Sequence, residues 1–297
     1  MPKCVLLILF SFSTNLGITQ NLVENPGFEE YWKLPGANEL VDTFFAKNWS
    51  HIYASMPSSV DYYLRNNVII YPNHRSDSRY NVPDNHLGFH ESNEGDAYVG
   101  LIPFSIHGQM EHISGKLIDT LIAGSEYEVS IFIKYSGASS MIFSSKLEIA
   151  FSSDSNFFRL KGHPKHFDYV NTSVSCYKNI FNEKKITADV TFDNIPMISD
   201  SSTWTKLKGI YKARGGEKFL TIGLFYQGEK PSEKIDNLTN KVNRPNVDWY
   251  KISMKVGNYK IPFLKSNPKY NPVYDSYAPG ACYYFIDDVS VVLKSDK

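Results

Sequence analysis

The sequence predicts an all-β chain folded as an antiparallel sandwich or jelly roll, and three observations carry that expectation. Apolar and polar residues alternate with period two wherever a pattern is legible. Val, Ile, Tyr and Phe fill the apolar positions, and Gly, Pro, Asn and Ser punctuate the runs. No long stretch shows convincing 3.6-residue periodicity. Many short strands separated by turn residues suit two packed sheets.

The elements follow in chain order. Residues 1–20 begin with one Lys, continue with a short apolar run (CVLLILFSF, 4–12) and end in small and polar residues, the order of a secretory signal peptide. The apolar run is too short to span a bilayer, which takes about 20 residues. Cys4 precedes the run, so no lipid-modified cysteine is expected. The mature chain, residues 21–297, is expected to form one domain and to be exported to the periplasm, cell surface or medium. Residues 97–101 (AYVGL) form a strand. Residues 115–123 (GKLIDTLIA) read equally well as a short helix or as strand and turn. Residues 127–135 (YEVSIFIKY) place Tyr127, Val129, Ile131 and Ile133 on one face. Residues 146–151 (KLEIAF) alternate likewise, and residues 219–225 (FLTIGLF) put Leu220, Ile222 and Leu224 together. Residues 283–293 (YYFIDDVSVVL) are the last strand. Three stretches, 58–94, 154–202 and 228–281, read as long loop insertions, rich in Asn, Tyr, Lys and Pro.

Composition narrows the function. The 297 residues carry 31 basic and 31 acidic side chains. Removing residues 1–20 takes away one Lys and leaves the balance near neutral. Nucleic-acid binding needs clustered Lys and Arg, so no nucleic-acid partner is expected. A 42% hydrophobic and 21% charged composition excludes disorder, while 14% aromatic residues is a surplus. No segment after residue 20 is apolar enough to span a membrane as a helix.

Catalytic signatures are weak. The segment HESNE (90–94) lacks the second His of a zinc-protease motif, and Gly95 would break its helix. His163 and His166 flank a proline and lack a third ligand. There is no nucleophile elbow, phosphate loop or dinucleotide fingerprint, and Cys176 has no nucleophile context. A glycosidase needs two carboxylates about 5–10 Å apart, and no pair stands out. Export would leave Cys176 and Cys282 as an even pair in an oxidising compartment, which permits one disulfide; two independent buried thiols are the alternative. Loop aromatics supply the binding candidates, because sugars stack their C–H faces on Tyr and Trp. These are Tyr62, Tyr71, Trp249, Tyr250 and Tyr259, with Tyr63, Tyr80, Tyr270 and Tyr274 in the same stretches; core or loop-anchoring roles are the alternative.

The opening NLVENPGFEE (21–30) together with the closing YYFIDDVSV (283–291) resembles the galactose-binding-like jelly rolls, including carbohydrate-binding modules of the CenC type. Four inner pieces, VPDNHLGF (82–89), GDAYVGL (95–101), WTKLKG (204–209) and ARGGEKFLTIG (213–223), resemble a variant found in exported envelope proteins of Bacteroidetes-type bacteria. That variant often precedes an OmpA-like domain, and none is recognisable before Lys297, so peptidoglycan anchoring does not carry over. The resemblance implies that the first and last strands lie together and share a structural calcium ion, with Glu29, Asp287 and Asp288 as ligands. Carboxylates and carbonyls are what Ca²⁺ takes. The plainer alternatives are that Glu29 holds turn amides and that the two aspartates flank the strand in solvent. The resemblance also implies a non-catalytic module that binds carbohydrate or an envelope glycan. A surface adhesion protein with an envelope-protein partner, or a glycoside hydrolase, are the other readings.

Overall fold

The computed structural model describes residues 20–32, 46–53, 60–67, 69–70, 76–103, 111–137, 141–143, 147–154, 188–192, 198–225, 264–266 and 281–294. In chain order the strands are β1 (Trp49–Tyr53), β2 (Asp61–Arg65), β3 (Ile69–Ile70), β4 (Ser76–Asp77), β5 (Asn81–Val82), β6 (Asp84–Asn85), β7 (Gly88–Phe89), β8 (Ala97–Leu101) and β9 (Glu111–Lys116). There follow β10 (Glu126–Tyr135), β11 (Met141–Phe143), β12 (Glu148–Ser152), β13 (Val190–Thr191), β14 (Thr205–Lys212), β15 (Phe219–Gly223), β16 (Leu264–Ser266) and β17 (Tyr284–Leu293). No helix occurs among the described residues.

Two sheets make the sandwich: five strands in the order β1-β9-β15-β12-β13, and six in the order β14-β10-β17-β8-β2-β5. Pairing is antiparallel throughout both sheets except between β2 and β5. Alternation supplies the core. On β10, Tyr127, Val129, Ile131, Ile133 and Tyr135 face inward, as do Ile286, Val289 and Val291 on β17 and Leu220 and Ile222 on β15. This core runs from Val23 to Val291, so both ends of the chain contribute to it.

The structure settles two open points of the sequence. Residues 115–123 continue β9 and then turn, with no helix. The stretch 58–94 is not merely an insertion, because β2 lies in the six-stranded sheet against β8. Its sequence DYYLR escapes a period-two reading because Tyr62, Tyr63 and Leu64 are all buried, one sheet face on the core and the other beneath a strap. The strap is residues 78–92, tied to β2 by a bond from the Leu64 amide to the Tyr80 carbonyl and closed on itself by one from the His90 amide to the Pro83 carbonyl.

Candidate functional site

Residues 21–30 lie against β17, and this opening motif builds the junction residue by residue. Asn21 accepts from the Val291 amide and donates to the Val289 carbonyl, which ties the opening motif along β17. The Asn25 side chain clamps both Glu30 and the Lys47 carbonyl. Phe28 is fully buried against Trp49, its ring centroid 4.7 Å away, at a backbone φ of 63° that non-glycine residues rarely take. Gly27 lies against both aspartates: a Cβ there would sit 3.3 Å from Asp288 Oδ1, a tight contact, and 3.7 Å from Asp287 Oδ1.

A β-bulge places the aspartates. Between Ser130 and Phe132 the β10–β17 register shifts, and Asp288 takes a φ of 45°. The bulge turns Asp287 onto the outer face opposite Phe132 and returns Val289 to the core. Asp287 is fully buried, and its carboxylate accepts from the amides of Asn93 (2.9 Å) and Asp288 (2.8 Å). Asn93 Nδ2 donates to Asp288 at 2.6 Å. Burial, and then the neighbouring Asp288 charge, push the Asp287 carboxyl up to about 8. Glu29 accepts from the Asp96 and Ala97 amides at 3.0–3.1 Å, and burial raises its pKa.

The three residues named from sequence are therefore neighbours, but they are differently employed. Glu29 holds turn amides, the plainer of its two roles. Asp287 is not in solvent as its plainer role required. Among the described residues no three His, Cys, Asp or Glu side chains form a metal-holding group.

Of the aromatic candidates, Tyr62 is corrected by the structure. It is only 4% exposed, faces the core and donates its hydroxyl to the Phe28 carbonyl, so no sugar can stack on it. Tyr63 is fully buried on the opposite face of β2, stacked on Tyr98 at 4.9 Å and beneath His86 at 6.2 Å. Its hydroxyl lies 3.0 Å from that of Tyr283, which donates to Asp61. Burial raises the Asp61 carboxyl to about 6. Tyr80 packs half-buried on the same cluster. Tyr71, Trp249, Tyr250, Tyr259, Tyr270, Tyr274, His163, His166 and Cys176 lie outside the described residues. Cys282 is a buried free thiol.

Among the described residues, two aromatics outside the set of sequence candidates are more than half exposed: Trp32, 72%, and Phe89, 67%. Trp32 adjoins Tyr31, itself 38% exposed, and the Lys47 ammonium lies 5.6 Å from its ring centroid. Lys47 also pairs with Glu30 at 3.7 Å. The signal for Trp32 was present in sequence as a YW step directly after the opening motif, ahead of the three polar stretches.

No family model matches the chain, and no curated protein matches it. Solved structures are similar in shape. A CBM22-1 xylan-binding domain of Xyn10C from Paenibacillus barcinonensis shares 13% identity at a TM-score of 0.33, covering 91% of this chain and 93% of that one. The K1 cleaved adhesin domain of Lys-gingipain from Porphyromonas gingivalis W83 shares 9% at 0.32, covering 93% and 99%. The N-terminal cellulose-binding domain of β-1,4-glucanase C from Cellulomonas fimi shares 5% at 0.29, covering 83% and 96%. The β-sandwich itself is read from the two packed sheets of this chain, and at such scores nothing about a ligand passes from those proteins to this one.

Proposed function

We propose that the protein is an exported, non-catalytic module that binds carbohydrate through the Trp32 surface. The observation that carries this reading is the exposed indole of Trp32, flanked by Tyr31, Lys47 and Glu30. An exposed indole presents a flat apolar face with a polar edge, the shape on which a ligand can stack. A pyranose offers the matching C–H face, and the ammonium and carboxylate beside the ring satisfy hydroxyls. Calorimetric titration of residues 21–297 with soluble glycans tests it. Trp32→Ala should weaken binding by about 2 kcal/mol, the scale of a buried aromatic anchor, with an unchanged unfolding midpoint. Unaltered affinity in the variant would remove Trp32 from the site. Export requires the secreted chain to begin near Asn21, which intact-mass measurement reads directly.

The reading extends to a calcium ion at the chain-end junction, held by Asp287 and Asp288 while Glu29 keeps the 95–97 turn. Two carboxylates crowded around Gly27, one of them buried, repel one another, and a divalent cation would offset that repulsion. A chelator should then lower the midpoint and calcium restore it. A midpoint indifferent to both leaves the amide donors as the only support for these carboxylates.

A further inference from the structure

Asp61 sits where the strap, β2 and the approach to β17 meet. It opens β2 opposite Gly100 of β8 and shares a sheet face with Tyr63. Space is tight there: a Cβ on Gly100 would lie 2.2 Å from the Tyr283 hydroxyl. That hydroxyl donates to the Asp61 carboxylate and lies 3.0 Å from the Tyr63 hydroxyl, so the three side chains form one hydrogen-bonded chain. Either hydroxyl of the tyrosine pair can donate, so the chain suits a carboxylate or a neutral acid at its end. The strap adds the Tyr80 hydroxyl as a second donor to Asp61 and brings the Arg79 charge near. Tyr80 also packs edge-on against Tyr63, ring centroids 5.6 Å apart, and its carbonyl takes the Leu64 amide.

The groups around this carboxyl are mostly phenols rather than cations. On β2, Arg65 follows on the same face but is committed to Asp96 and Glu91. β8 presents the Tyr98 phenol, stacked on Tyr63, and the segment before β17 presents Tyr283. From the strap come Arg79, Tyr80 and His86, whose ring stacks on Tyr63 at 6.2 Å and bonds the Arg79 carbonyl. Burial outweighs the two hydroxyl donors and the Arg79 charge, and it raises the carboxyl from 3.8 to about 6. A strap lifted from the sheet returns Asp61 to water and to its ordinary 3.8. Closure is therefore favoured in full below 3.8 and weakens as the pH rises through 6.

We propose that Asp61 is a pH-sensitive latch on the strap 78–92, closed at acid pH and loosened as its carboxyl ionises. Loosening uncovers the Tyr63 and Tyr98 rings, which stack beneath the strap at 4.9 Å. The latch depends on neither the Trp32 surface nor the calcium reading.

Amide hydrogen exchange reads the latch at Leu64, whose amide bonds across to the strap at the Tyr80 carbonyl, with β10 amides as the reference in the same sample. After correction for intrinsic exchange, protection at Leu64 relative to β10 should fall about tenfold or more between roughly pH 4.5 and 7.5. Asp61→Asn, which stays neutral, should hold the ratio within about twofold over the same range. A flat ratio in the wild-type protein overturns the latch, and so does an equal fall in Asp61→Asn, which would assign the effect to another group. Where that variant does not fold, carbon-13 titration of the Asp61 carboxyl in the wild-type protein decides. A midpoint near 6 supports the latch, and one at the ordinary 3.8 overturns it.

Discussion

Gly95 holds a φ of 63°, and a Cβ there would lie 2.3 Å from Glu29 Oε1. The glycine is what lets the Glu29 carboxylate reach the two amides beyond it. Gly95→Ala adds left-handed strain to the loss of that clamp and should cost on the order of 2 kcal/mol in urea unfolding. Wild-type stability in this variant would mean that the clamp contributes nothing. His112 offers a second residue-scale test. It is 2% exposed beneath Phe225, with Nε2 3.0 Å from the Leu224 carbonyl. Burial drives its pKa from 6.5 to about 4, the Leu224 bond opposing. Between those values the unfolded chain binds the extra proton, so this residue's contribution is full above pH 6.5 and is lost as the pH falls toward 4. The stability difference, wild type minus His112→Gln, should therefore shrink by on the order of 3 kcal/mol from pH 7 to 4. A pH-independent difference would show that His112 charges as readily folded as unfolded.

At the scale of elements, the strap 78–92 shows what the sequence could and could not disclose. Strands with one face on the core, such as β10, β15 and β17, were legible because alternation survives there. Around β2 and the strap, burial on both faces erases the period, so Tyr62 and Tyr63 read as loop aromatics when they anchor two separate clusters. The acidic junction was legible through the ends of the chain; which donors would satisfy Glu29 was not, because the 95–97 turn is remote in sequence. Asp61 was unmarked for a like reason: it opens β2 as an ordinary polar residue, and the strap residues Arg79 and Tyr80 that close on it are distant in sequence. The strap hangs on Tyr98, whose hydroxyl accepts from Asn85 Nδ2 at 2.9 Å and donates to the His90 carbonyl at 3.1 Å. Tyr98→Phe should cost about 1–3 kcal/mol and speed hydrogen exchange at the His90 amide while β10 amides stay protected. Equal protection in both proteins would place the strap's anchorage elsewhere.

For the whole molecule, the first and last residues of the core belong to the same cluster, which makes local opening of the C-terminal strand costly. Cys282 reports on this. It precedes β17 by two residues, is fully buried in the shared core, and burial raises its thiol well above the ordinary value. Only the thiolate reacts, so modification in native buffer requires both exposure and ionisation. Releasing Cys282 means detaching β17 from β10 and β8, its partners on either side in the six-stranded sheet, and that amounts to dismantling the sandwich. The rate of Cys282 labelling across a denaturant series should accordingly follow global unfolding with the full dependence on denaturant. A shallow dependence would identify a sub-global opening in which β17 leaves the sheet on its own. Absence of labelling even in the unfolded chain, followed by labelling after reduction, would instead mean that Cys282 is bridged in the purified protein.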